Sequence, residues 1–306
     1  MVRKPWVHKS RQFASDGRQK DDQMKNANDT SLAADTIFVN VKILQEKIKS
    51  YLAKRDRGEL LVQKSQRMYA SLLLPVVLDS TNEFLRYGEN AQLVCPDIRF
   101  PGWCDGAGGV ALSCSTSDYY SELDGLGPGC TMTASPLTES CVRNCFKICG
   151  LGSSCEKGEP LKFGDTFAIS PCVSSKPLFV TAVMPRLYAE RGVSGHPALK
   201  LVDAQDPYCR WTVAYWRKAL REEAEGLPVP NGARVVLKHN ATNLNAAVET
   251  DFRIATFFGD EYEVSAHSIE DSGGREKAQN IWEFVTSRKR PGSDDDGTNN
   301  NTIMNK

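Results

Sequence analysis

One local pattern occurs three times in this chain, and it limits the fold more than any other feature. The stretches FLRYGENAQLV, PLKFGDTFAIS and PVPNGARVVLK each set a glycine (Gly88, Gly164 or Gly232) ahead of a strand-like run. A short apolar strand candidate follows each of them: GVALSCS, KPLFVTAV and LNAAVET. Each unit then closes on an aromatic two positions before a β-branched residue, Phe146 with Ile148 and Trp211 with Val213. Trp282 with Phe284 in IWEFV is a looser third pair. From glycine to closing aromatic the intervals are 58, 47 and 50 residues. Three unequal copies fit a threefold closed β architecture. The expected fold is therefore a β-trefoil, because closure removes exposed sheet edges. Gly88, Gly164 and Gly232 would allow a tight turn into each unit, and Trp211 and Trp282 would fill a shared core. The competing reading is chance similarity within an irregular β sandwich.

The remaining segments are arranged around that body. An all-β domain is expected over 84–287, where short apolar runs alternate with Gly, Pro, Asp and Asn. A Cys- and Gly-rich insert is expected around 98–158, and YWRKALREEAEG is the one helical interruption, stopping at Gly226. Residues 36–75 read as helical. Ile37, Val41, Leu44, Ile48 and Tyr51 recur at spacings of 4, 3, 4 and 3, one apolar stripe on a helix. A second helix, ELLVQKSQRMYASLLL, sets Leu61, Ser65, Met68 and Leu72 on one face and stops at Pro75, with Gly58 separating the two. Residues 1–35 form a polar arm, with seven Lys/Arg against four Asp in the first thirty, disordered alone or ordered along a partner. The tail 288–306 lacks periodicity and is expected to be disordered.

Composition excludes several classes of function. Lys plus Arg equals Asp plus Glu at 38 each, so the chain is not expected to be held by nucleic-acid phosphate. The start, MVRKPWVHKSRQFASDG, has neither the apolar run nor the cleavage site of a secretory signal. No segment approaches the roughly 18 apolar residues of a spanning helix. The protein reads as soluble and intracellular, and its ten cysteines as reduced thiols.

Catalytic and metal motifs are weak. Cys141, Cys145 and Cys149 recur every four residues in CVRNCFKIC, with Cys130 and Cys155 nearby. On a helix they would share a face and could take a soft metal such as zinc. They are not paired as Cys-x-x-Cys, however, and Phe146 to Ile148 also reads as a closing strand, so ordinary thiols and no metal are expected. His8, His196, His239 and His267 form no ligand motif, and His239 in VLKHNATN reads as loop packing. There is no nucleophile elbow and no His-Glu-x-x-His. GWCDGAG lacks the Gly-Lys-Ser/Thr ending that holds phosphate. An enzyme is not expected, nor a cofactor. YLAKRDRGELLVQKSQR and SRKRP are either solvated faces or docking sites for an acidic surface. The acids interleaved in the first count against nucleic acid.

YLAKRDRGELLVQKSQRMYASLLLPVVL followed by LRYGENAQLV resembles the cilia- and flagella-associated protein 161 family. So does NGARVVLKHNATNLNAAVETDFRIATFFGDEYEVSAHS followed by QNIWEFVTSR. The resemblance spans roughly residues 50 to 95 and 160 to 287, and is most specific in RDRGELLVQ, VLKHNATN and FFGDEYEV. It implies a microtubule inner protein of the cytoskeleton, in the lumen of the A-tubule of axonemal doublets in a cilium or flagellum. Its partners would be alpha- and beta-tubulin and neighbouring inner proteins near the seam, without nucleic acid or membrane. The role would be to support doublet stability and motility. It also implies a β domain similar to the MIR type of β-trefoil. Two departures stand out. The family's N-terminus carries a short Gly- and Asn-containing motif, where this chain has the arm ending AADTIFVNVKIL. The segment 98–158 looks peculiar to this lineage.

In this role Arg55, Arg57, Lys64 and Arg67 are the expected surface contacts, with Lys238, Asn240 and Asn243 from a loop. Gly88, Gly164, Gly232, Trp211 and Trp282 are expected to be structural. The alternatives are a cytosolic β-trefoil that binds a ligand or sugar, an enzyme built around the cysteine segment, and a scaffold unrelated to cilia. The first would need a polar pocket repeated three times, which the sequence does not offer.

Overall fold

The computed structural model of the protein describes residues 38–78, 80–102, 108–116, 125–151, 157–174, 176–182 and 191–287. The arm 1–35, the tail 288–306, Ile37 and Cys155 lie outside the described residues. The chain divides into two units, Met1–Lys64 and Ser65–Lys306. Among the described residues no helix is long and apolar enough to cross a membrane.

In the first unit, helix α1 covers 38–56 and ends where Gly58 takes φ +70°. Lacking a Cβ, glycine enters this left-handed region without a clash. The Gly58 N–H then donates to the Arg55 carbonyl at 3.0 Å and the Glu59 N–H to that of Lys54 at 2.8 Å. These nested bonds satisfy the last carbonyls of the helix. Helix α2 (Leu61–Leu72) begins here and continues into the second unit.

There α2 buries Met68 and Leu72, and Tyr69 stacks on Phe257 with ring centroids 3.4 Å apart. The helix ends three residues short of Pro75. A residue ahead of proline avoids the helical region, and this stretch pairs elsewhere: the Val76 N–H donates to Ser140 O, and the Val142 N–H to Leu74 O, both at 3.0 Å.

Twelve strands among the described residues form one sheet. They are β1 (Asn90–Cys95), β2 (Val110–Ser115), β3 (Thr131–Ser135), β4 (Phe146–Gly150), β5 (Thr166–Pro171) and β6 (Phe179–Ala182). Then come β7 (Leu199–Val202), β8 (Trp211–Tyr215), β9 (Arg234–His239), β10 (Leu244–Thr256), β11 (Gly259–Ala266) and β12 (Trp282–Val285). All pairings are antiparallel. β1 pairs with β4, β5 with β8, and β9 with β12. β4 pairs with β5, β8 with β9, and β12 with β1. β2–β3, β6–β7 and β10–β11 are hairpins, and β3 pairs with both β7 and β11.

The glycine-led segments meet one another. Leu85 N–H donates to Val229 O at 2.9 Å, Val229 N–H to Leu161 O at 2.8 Å, and Leu161 N–H to Leu85 O at 2.8 Å. All three side chains are buried. Each following glycine has positive φ, +82° at Gly88, +91° at Gly164 and +72° at Gly232. Each donates its N–H to the second residue of a closing pair: Gly88 to Ile148 O (2.8 Å), Gly164 to Val213 O (2.8 Å), Gly232 to Phe284 O (3.1 Å). The closing tryptophans are buried in the core with their indole N–H groups satisfied. Trp211 donates to Val180 O at 2.9 Å and Trp282 to Ala246 O at 3.0 Å. Phe146, at the corresponding place in the first set, is buried without a donor to satisfy.

The segment 98–158 contains β2, β3 and β4, so it is part of the sheet and not merely an addition to it. Its cysteines do not share a helix face. Cys141 precedes a one-turn 3-10 helix, Val142–Asn144, Cys145 follows it in extended backbone, and Cys149 lies in β4. Cys130, Cys141, Cys145 and Cys149 are free thiols. YWRKALREEAEG forms a 3-10 turn, Lys218–Leu220, and a short helix α3, Arg221–Ala224. Gly226 follows at φ +81°, its N–H donating to Phe163 O at 2.9 Å.

Candidate interaction surface

In the first unit, Val41, Leu44, Ile48 and Tyr51 of the α1 stripe are 46–58% exposed. An amphipathic helix ordinarily buries such a stripe. Here it lies open, with Lys42, Lys47, Lys49 and Lys54 interleaved along the same helix. Tyr51, Lys47, Lys54, Glu59 and Leu61 help to line an open cleft of about 400 Å³. Arg55 and Arg57 are exposed and locally paired, Arg55 with Asp56 at 2.8 Å and Arg57 with Glu59 at 3.4 Å. Exposed pairs of this kind contribute about 0–1 kcal/mol, so a partner's carboxylates could replace them at little cost. Lys64 is exposed at the end of this unit, and Arg67 is exposed on α2 in the second.

Lys238, Asn240 and Asn243 sit elsewhere, at the β9–β10 turn. Lys238 is half-buried opposite Thr212. Asn240 Oδ1 accepts from the Thr212 hydroxyl at 2.8 Å, and its side-chain amide donates to Thr166 Oγ1 of β5 at 3.4 Å. Asn243 takes φ +60°, and its N–H donates to His239 O at 2.8 Å, closing the turn. These residues therefore shape a firm loop as well as presenting polar groups. His239 between them is fully buried. Its Nε2 lies 2.6 Å from the Tyr208 carbonyl, which fixes the proton there, so Nδ1 accepts from the Thr242 hydroxyl at 2.8 Å. Burial lowers its pKa from 6.5, against smaller raising effects of the Tyr208 carbonyl and Asp206.

A buried polar layer at β10 and β11 was not legible in the sequence. Glu261, Glu263 and Ser265 alternate on one face of β11, a pattern that reads as a solvated strand face, yet all three are buried. Arg143 makes two bonds to Glu261, at 2.9 and 2.7 Å. Glu263 lies opposite Glu249 and accepts from the Ser194 N–H (2.9 Å) and hydroxyl (3.1 Å). Burial raises the Glu263 pKa, the Ser194 bonds oppose it, and the Glu249 charge adds to it. His267 Nδ1 lies 2.9 Å from Glu249 Oε1, and its ring stacks on His196. His196 and His267 are thus brought together with a carboxylate. Only strand pairing could reveal this, because the residues are far apart in sequence.

A family profile described as "Cilia- and flagella-associated protein 161-like domain" matches residues 64–186 and 188–287. The match runs through the segment 98–158 and begins after RDRGELLVQ. "Cilia- and flagella-associated protein 161" of Mus musculus is 32% identical over 258 residues, 82% of this chain and 85% of the relative. The Bos taurus protein of that name is 30% identical over 264 residues, 82% of this chain and 79% of the relative. The Danio rerio protein is 30% identical over 255 residues, 81% and 84%. Among solved structures, an SDF2-like protein from Arabidopsis thaliana aligns with a TM-score of 0.47 at 17% identity, covering 66% of this chain and 94% of that one.

Proposed function

Because the chain belongs to the cilia- and flagella-associated protein 161 family, we propose that it is a structural microtubule inner protein. In this reading it sits on the luminal face of tubulin in the A-tubule of axonemal doublets and supports doublet stability and motility. The observation that carries the reading, beside family membership, is the exposed apolar stripe of α1. An apolar helix face edged by lysines matches a partner that offers an apolar groove with an acidic rim. Arg55, Arg57, Lys64 and Arg67 are the proposed contacts on the helices, and Lys238, Asn240 and Asn243 those on the β9–β10 turn. Alpha- and beta-tubulin and neighbouring inner proteins near the seam are the proposed partners. Family membership is consistent with a non-enzymatic role.

We read the second unit as a β-trefoil of the MIR type. The strand pairings support this reading, since β1, β12, β9, β8, β5 and β4 pair successively and β4 pairs with β1. The Leu85–Leu161–Val229 triangle of backbone bonds has the same threefold character. A body without open edges resists deformation and does not recruit stray strands, which suits a part placed repeatedly along a lattice.

The test is localisation of a tagged copy, followed by detergent and high-salt extraction of the axoneme. Retention with the doublets is the expected result. Release into the soluble fraction, or absence from the cilium, would contradict the assignment.

A further inference from the structure

His196, Glu249 and His267 come from the segment before β7, from β10 and from just after β11, and their ligand atoms all lie within 4.8 Å of one another. We propose that these three residues bind one divalent cation of the zinc class. The proposal is independent of the ciliary reading.

The donor set selects the metal. Two imidazole nitrogens and one carboxylate oxygen are a combination zinc takes, with water in the remaining position. Calcium and magnesium favour oxygen donors throughout.

Glu249 and Glu263 face each other across β10 and β11 and are 6% and 1% exposed. Among the described residues, neither forms an ion pair with a lysine or arginine, and Glu249 pairs only with His267. Buried carboxylates are found paired or on metals, because an isolated buried charge is costly. The two histidine rings stack with centroids 3.7 Å apart and 18° between planes, which sets both imidazoles beside the Glu249 carboxylate. One divalent ion held there would place positive charge against the two facing carboxylates.

The segments that carry the donors are already anchored to the sheet. The Ser265 hydroxyl donates to Glu249 Oε1 at 2.5 Å, fixing the carboxylate. The His267 N–H donates to Asn245 O at 2.7 Å, and the Ala266 N–H to Pro197 O at 2.8 Å, tying both histidine segments to the sheet. Ser194, two residues before His196, is anchored on Glu263 by its N–H and hydroxyl. Gly192 packs so closely over the same carboxylate that a Cβ would lie 1.5 Å from Glu263 Oε1. Tetrahedral zinc with bonds of about 2.1 Å needs donors about 3.4 Å apart, so the ligand atoms draw together on binding. The stacked rings turn to converge, a rotation available to two half-exposed side chains. Where His267 ligates through Nδ1, the proton on that nitrogen passes to solvent.

Zinc chloride titrated into the full chain, followed by native mass spectrometry and calorimetry, tests this. Wild type is expected to bind one zinc per chain. His196→Gln, His267→Gln and Glu249→Gln should each weaken binding by more than Ser265→Ala, which loosens only the carboxylate and should cost about tenfold. Cobalt(II) bound at this site should lack the charge-transfer absorption of cobalt–thiolate bonds. Circular dichroism of each variant reports whether it is folded, and Ser265→Ala and Glu249→Gln are the mildest changes. Absence of stoichiometric zinc overturns the proposal. So does unchanged affinity in folded ligand variants, which would assign the metal to the thiols.

Discussion

Arg143 is fully buried, and each of its three guanidinium nitrogens donates a hydrogen bond. Nη1 and Nη2 bond Glu261, Nε donates to Cys114 O at 3.1 Å, and the Phe258 ring lies 3.9 Å from the guanidinium carbon. Arg143→Met leaves the Glu261 carboxylate with the Thr133 hydroxyl, at 2.6 Å, as its remaining described hydrogen-bond partner. Urea denaturation should show a loss of about 3–5 kcal/mol, and a second change, Glu261→Met, should recover much of it. His239 supplies a pH test. Its folded pKa is lowered, so the unfolded chain takes up the proton first as pH falls below about 6.5. Stability should therefore decline from pH 7 towards 5, and less steeply in a folded His239→Gln protein. In sequence, CVRNCFKIC drew notice to its cysteines. The arginine between them has the larger structural role, because what it pairs with lies 118 residues away.

At the scale of elements, much was legible. Gly58 separates the two N-terminal helices because its left-handed backbone closes α1, and the three repeated glycines show the same backbone feature. Sequence periodicity marked the α1 stripe but could not say whether it was covered. The stripe is exposed, so polar replacements there should leave the fold intact. Leu44→Ser with Ile48→Ser should change urea stability by less than about 1 kcal/mol, while releasing the protein from salt-washed axonemes. Unchanged retention would remove α1 from the proposed contact surface. The segment 98–158 was harder to read. GVALSCS and the Phe146–Ile148 pair marked β2 and β4, but β3, whose burial is nearly continuous and lacks alternation, carried no such signal among the neighbouring glycines and cysteines.

For the molecule as a whole, the last strand is paired with the first. β12 lies against both β1 and β9, so its removal opens edges on two strands and uncovers core side chains packed around Trp282 and Phe284. A chain ending at residue 281 should lose its cooperative unfolding transition, whereas one ending at 287 should keep it. The three glycine-led copies in the sequence mark where β1, β5 and β9 begin. The order of pairing and the grouping of His196, Glu249 and His267 depend on long-range contacts that a linear pattern does not encode. The proposed role is tied to a location, which subtomogram averaging of doublets carrying a dense tag on this chain can test. Added density on the inner wall of the A-tubule at a regular axial spacing is the expected result. Density confined to the outer surface, or doublets identical to untagged ones despite expression of the tagged chain, would contradict it.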